Sequence, residues 1–261
     1  MSKIRPAAVA GLFYPADPAQ LHSDIQSMLS ATEQTESMPK ALIVPHAGYI
    51  FSGPVAASAF AQLKNISHRV KRVILLGPCH RVPLRGLATS SADYFETPLG
   101  SIKVDHDAIK QIASLPQIKE FDLTHQQEHS LEVQLPFLQE VLDNFSLVPL
   151  VVGDTNAEEV SEVLERLWGG DETLIVISSD LSHYHDYNTA RAMDNETCLA
   201  IEEMNPAAIH YDQACGRNPV IGLLTAANKH GLHATTLDLR NSGDTAGDKS
   251  SVVGYGAWAF S

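Results

Sequence analysis

Ile43-Val44-Pro45-His46-Ala47-Gly48-Tyr49 is a short apolar run that stops abruptly in proline, histidine and glycine. Ala41 to Val44 lead straight into that turn, so the pattern predicts a buried strand with His46 at its carboxyl end. In open α/β sheets this is the edge where ligands bind. The arrangement recurs at Val73-Ile74-Leu75-Leu76-Gly77-Pro78-Cys79-His80, and again at Leu174-Ile175-Val176-Ile177-Ser178-Ser179-Asp180-Leu181-Ser182-His183. Three strand-like runs each deliver a histidine just past their end.

Outward from these runs, helical patterns alternate with strands. Asp17-Pro18 reads as a helix cap followed by proline in the first turn, predicting a helix over about 18–30, and residues 31–39 form a polar surface link. Ser52-Gly53-Pro54 opens a small-residue helix to about Leu63. A second strand covers about 71–77, and the stretch from Pro78 to Pro98 holds short extended pieces and turns. Asp105 to Ser114 reads as a short helix. Leu131 to Leu142 reads as another, with Pro136 predicting a kink or an early break. Further strands are expected at 147–152, 173–178, 235–239 and 252–258, with helices at 156–168, 188–204 and 219–230 and a polar loop over 241–250. The alternation predicts a single α/β domain, a mainly parallel central sheet flanked by helices, with no repeat and no composition shift to mark a boundary.

At 261 residues and 44% hydrophobic composition the chain can bury a large core. Its 18 basic and 31 acidic residues give a net charge of -13, which repels phosphate backbones and anionic lipid, so neither nucleic acid nor a membrane is expected as a partner. No apolar run is long enough to span a bilayer, and Met1 to Pro6 lacks a signal-peptide core, so a cytoplasmic location is expected. Cys79, Cys198 and Cys215 are read as thiols. A closed homodimer is the default assembly for soluble proteins.

The chemistry-bearing candidates are His46, His80, His129, His183 and Cys215, with Asp180 and Glu128. A single histidine at a strand end is more often structural than a ligand. Several imidazoles converging with a thiolate or carboxylate, however, suit iron, zinc or copper. His46 and His80 are expected to follow adjacent strands and so to share an ion, with Cys215 as a third ligand whose thiolate a following helix N-terminus would favour. Cys215 reads equally well as a small buried residue. Asp180, three residues before His183, could orient its ring or take its proton, or could cap a helix. His125, Glu128 and His129 match the H-x-x-E-H pattern of a zinc peptidase, a weak signal in a chain of 12 histidines. There is no G-x-S-x-G elbow, no phosphate-binding Walker loop and no G-x-G-x-x-G after the first strand.

The motifs together resemble the Memo family, known in prokaryotic proteomes as AmmeMemoRadiSam system protein B. The match runs through Arg5-Pro6-Ala7, Gly11-Leu12-Phe13-Tyr14-Pro15, Pro45-His46-Ala47-Gly48-Tyr49, Leu76-Gly77-Pro78-Cys79-His80, Glu128-His129-Ser130-Leu131-Glu132, Ser178-Ser179-Asp180-Leu181-Ser182-His183 and Cys215-Gly216-Arg217. The resemblance implies a fold like that of class III extradiol dioxygenases. It implies His46, His80 and Cys215 as metal ligands, with cysteine where those enzymes carry glutamate, and His183, His129 and Asp180 as proton-handling neighbours. Fe(II) is the metal it implies first, with copper or zinc as alternatives, and a small catechol-type molecule is the substrate. It also implies two other settings: a non-enzymatic adaptor binding peptides in the same pocket, and association with AMMECR1-like and radical-SAM proteins. Arg81 and Asn218 stand where the family often has histidines.

Overall fold

The computed structural model describes residues 2–33 and 38–261. Residues 34–37 of the expected surface link lie outside the described residues. The strands are β1 (Ile4–Arg5), β2 (Ala41–Val44), β3 (Arg72–Pro78), β4 (Leu87–Thr89), β5 (Tyr94–Thr97), β6 (Gly100–Lys103), β7 (Ile118–Glu120), β8 (Ser146–Val152), β9 (Thr173–Ser178), β10 (His183–His185), β11 (Ala234–Asn241) and β12 (Val252–Phe260). The helices are α1 (Pro18–Ser30), α2 (Tyr49–Phe60), α3 (His106–Ile112), α4 (Asp122–Gln126), α5 (Leu135–Val141), α6 (Ala157–Leu167), α7 (Tyr187–Glu202), α8 (Arg217–Lys229) and α9 (Ser242–Thr245).

The fully apolar runs become the sheet's centre. β2, β9, β3 and β8 lie side by side in that order, all parallel, and nearly every residue in them is buried. This is what continuous apolar strands covered on both faces require. On one flank β12 runs antiparallel to β2 and carries β10 and β11, while on the other β4 runs antiparallel to β8. The sheet is therefore mixed: its four-strand middle is parallel, both flanks join it antiparallel, and β7 pairs parallel with β4 at the edge. A second sheet, β5 between β1 and β6, was not foreseen in the sequence.

One expectation fails in an informative way. β2 and β3 are not neighbours, because β9 lies between them and pairs with both. His46 and His80 thus flank the end of β9. β9 ends in Ser178, so the third of the histidine-bearing runs supplies the floor between the other two.

The helices follow local chemistry. Asp17 caps α1 by accepting from the Gln20 amide, and Asn156 with Glu159 forms a reciprocal capping box at α6. α2 starts at Tyr49, earlier than expected, and holds Pro54 in its interior. The carbonyl that Pro54 leaves without a helix donor belongs to Ile50, on the exposed side, where water can serve it. The expected 131–142 helix breaks early, as a 3₁₀ turn over Glu132–Gln134 followed by α5 with Pro136 in its first turn. Asn241 caps the short α9 inside the expected polar loop. α8 packs tightly on α6 at Gly222, where a β-carbon would meet Val160 Cγ1 at 2.3 Å.

Candidate metal centre

Because β2, β3 and β9 are parallel, their carboxyl ends share one edge of the sheet. His46, His80 and Asp180 each stand two residues past that edge. Cys215 comes from the far end of the chain, just before α8, and its Sγ lies 3.2 Å from His46 Nε2. One ligand atom from each of His46, His80 and Cys215 falls within 4.8 Å of the others. Donors bound to one ion at roughly 2.0–2.3 Å sit about 3–3.6 Å apart, so the His46 and Cys215 pair is already at bonding separation. Two imidazoles and a thiol are a donor set that first-row transition metals accept. The residues present fit such an ion.

Each of the two histidines is held by its other ring nitrogen. His80 Nδ1 is 2.9 Å from Glu128 Oε1, and the His80 amide donates to Glu128 Oε2 at 2.7 Å. Glu128 also accepts from the amides of His129 at 2.9 Å and Ser130 at 3.0 Å. Burial raises this carboxyl, but the contacts to His129 and His80 more than reverse that, and it stays ionised far below the usual carboxylate range. A carboxylate orienting a ligating imidazole is the usual support of a metal site. His46 Nδ1 lies 2.9 Å from Ser178 Oγ, and the His46 amide donates to Asp180 Oδ1 at 2.7 Å. Burial, then the neighbouring His80 and His129, hold the His46 imidazole neutral.

Cys215 departs from expectation. Its thiol is pushed up, first by burial and then by the charge of Asp180, so the metal-free side chain is a thiol rather than a thiolate. The amides leading into α8 do too little to offset this: Cys215 N–H donates to the Asp180 carbonyl, and Gly216 N–H, which donates to Ser179 Oγ, lowers the thiol only as a lesser influence. Gly216 is required by close approach, since a β-carbon there would meet the Ser178 carbonyl at 2.7 Å. A bound cation would draw the proton off Cys215.

The proton-handling candidates are placed differently from one another. The His129 ring lies 4.7 Å from that of His80, stacked, and 5.4 Å from that of His46, with Phe13 on it at 4.6 Å. His129 Nδ1 lies 3.2 Å from Glu128 Oε1 but off the hydrogen-bond direction. Asp180 is buried and its carboxyl is raised by that burial. Its hydrogen bond goes to the His46 amide, so it neither caps a helix nor holds the His183 ring. His183 is half-buried on β10, edge-on to Tyr184, near enough for its charge to act on His46 and Asp180.

β10 carries a bulge here. His183 pairs with Val253 and His185 with Val252, so Tyr184 is an extra residue, left-handed at φ 61 and 77% exposed. Paired residues share a face, and Val252 and Val253 face opposite ways, so His183 and His185 do too. Only His183 belongs to the site edge.

The peptidase pattern does not assemble. α4 ends at Gln126, so His125 and His129 share no helix, and His125 Nε2 turns to the Ala88 carbonyl at 3.0 Å. Two supports escaped the sequence reading. Glu132 accepts from Arg5, from the amides of Ala8 and Val9, and from Tyr14, clasping the N-terminal segment that carries Phe13. Gln134 spans the Pro45 carbonyl and Ser178. Arg81 is exposed, and Asn218 donates to the Gly153 carbonyl.

A family model described as "Memo-like protein" matches residues 5–259. A protein of Aquifex aeolicus named "MEMO1 family protein" is 36% identical, covering 97% of each chain. One of the same name from Metallosphaera sedula is 37% identical over 99% of each. Among solved structures, an uncharacterized protein from Escherichia coli K12 matches with a TM-score of 0.54 at 13% identity, covering 84% of this chain and 98% of that one. That likeness is one of fold.

Proposed function

Because the chain belongs to the Memo-like protein family, we propose that it is a metal-binding member whose His46, His80 and Cys215 hold iron(II), serving oxidative chemistry of the dioxygenase type on a small catechol-like substrate. Copper and zinc suit the same donors, and the thiol weights the choice toward softer ions than an all-carboxylate set would. The observation that carries the reading is the convergence of three donors from positions 34 and 135 residues apart in sequence, two of them braced from behind. Iron(II), held there by His46, His80 and Cys215, would supply the redox chemistry that activates dioxygen toward a diol.

The surrounding residues have their own work in this reading. His183, half-buried at the site edge, takes a proton from a substrate hydroxyl. His129, whose ring packs against those of Phe13 and His80, would hydrogen-bond an oxygen atom of the substrate. Asp180 fixes the turn that carries His46 and adds a buried carboxyl to the proton network.

Anaerobic titration with iron(II), then a catechol and oxygen, tests this directly. Ring-cleavage absorbance should appear with the wild-type protein and vanish in His46→Ala and His183→Ala; full activity in either variant overturns the reading. Cys215→Ser should purify without the stoichiometric ion.

One observation favours a second reading. A groove of about 630 Å³ runs beside the site between the N-terminal segment and the start of α2, and within it Leu12 and Ile50 are exposed beside Phe13 and Phe51. Such a surface fits an apolar peptide. A metal-free protein with micromolar affinity for peptides would replace catalysis by adaptor function.

A further inference from the structure

We infer that Gln134 and Ser178 are positioning residues that lock the His46 imidazole in one tautomer, with the proton on Nδ1 and a bare Nε2 facing Cys215. Two backbone carbonyl groups, which can only accept, fix the direction of the array. Gln134 Nε2 lies 2.8 Å from the Pro45 carbonyl and 2.8 Å from Ser178 Oγ. The Pro45 contact makes that atom the amide nitrogen, so it donates to Ser178 as well. Ser178 Oγ lies 2.6 Å from the Ser130 carbonyl, and its single proton goes there. One lone pair of Ser178 is then filled by Gln134 and its proton is spent. What remains for His46 Nδ1, at 2.9 Å, is a lone pair, so Nδ1 must be the donor.

All of these groups are buried, Ser178 fully and Gln134 nearly so, which leaves no water to reverse the chain. The direction of the whole array is set by backbone carbonyls of two different loops, the turn after β2 and the turn before the 132–134 helix. Glu128 imposes the same polarity on His80, whose Nδ1 faces a carboxylate. Both histidines consequently carry the proton on Nδ1 and leave Nε2 bare, so no tautomer shift is needed on binding. The inference rests on the metal-binding reading for its purpose, although not for the tautomer itself.

Two measurements separate the two. In the metal-free wild-type protein, ¹⁵N NMR of the imidazole should show His46 protonated at Nδ1; protonation at Nε2 overturns the inference whether or not metal binds. In Ser178→Ala the Nδ1 acceptor is gone, and in Gln134→Leu the Ser178 hydroxyl is free to turn on His46. Each should lower cobalt(II) affinity about 10–100-fold and alter the thiolate-to-cobalt absorption band. A variant that unfolds earlier yet keeps wild-type cobalt affinity and band would show a merely structural role and overturn the inference. If wild-type protein binds no cobalt, the metal reading falls while the tautomer assignment stands on the NMR result.

Discussion

At the scale of single residues the site is a set of commitments that turn His46 Nε2 and Cys215 Sγ toward each other. His46 and His80 each spend Nδ1 on a support, and Cys215 is kept protonated by burial and the charge of Asp180. Glu128 carries more of this than its place in the sequence suggests, because one carboxylate holds the His80 ring and three backbone amides. Glu128→Gln keeps the shape but offers an amide nitrogen to groups that all donate. It should weaken metal affinity about 10–100-fold, measured by competition with a chelator. His46, His80 and Cys215 were legible in the sequence because each lies just past an apolar run or just before a helix. Ser178 and Gln134 were not, since their role depends on which strand ends between the two histidines. No local pattern contains that information.

At the scale of elements, the long amphipathic and fully apolar segments were legible to within a few residues, because burial imposes a period or a continuous run. The small sheet of β1, β5 and β6 was not, its strands being two to four residues long and too short to show any period. The order β2, β9, β3 also escaped, since strand neighbours are chosen by crossover geometry rather than composition. The N-terminal segment is the clearest case of an element without regular structure. It is held by the fully buried Glu132, which faces Arg5, two amides and the Tyr14 hydroxyl. Removing one member of a buried pair strands the other, at a cost of about 3–5 kcal/mol. Glu132→Ala should lose that much in urea unfolding, and limited proteolysis should cut the segment before Pro15 first. Its release would also free Phe13 from the His129 ring.

At the scale of the whole molecule, stability and occupancy should be coupled. A ligand present at 100 times its dissociation constant stabilises the fold by about 2.7 kcal/mol, so adding the right metal should raise the thermal midpoint by several degrees. Cys215→Ser should abolish most of that rise. Acid should act through buried histidines, His125 as well as His46, whose imidazole burial also holds neutral. Burial lowers the His125 pKa from 6.5 to about 4. The unfolded chain binds this proton first, so the stability it confers is complete above pH 6.5 and is lost as pH falls toward 4. The loss is on the order of 3 kcal/mol. Denaturant midpoints between pH 7 and 4 should fall accordingly, and the fall should flatten in His125→Gln, which can still donate to the Ala88 carbonyl.

The bulge in β10 has the character of an insertion that the ladder has absorbed. On either side of Tyr184 the pairing with β12 is what a chain one residue shorter would make, His183 with Val253 and the next histidine with Val252. Deleting Tyr184 should therefore leave both histidines on their present faces and the sheet in its present register, joined as neighbours. Circular dichroism and the unfolding midpoint of the deletion variant should stay close to wild type, or rise as the left-handed residue is removed. Tyr184 is in this sense a spacer whose removal costs the fold nothing, and the one thing its presence adds is an exposed tyrosyl ring at the rim beside His183.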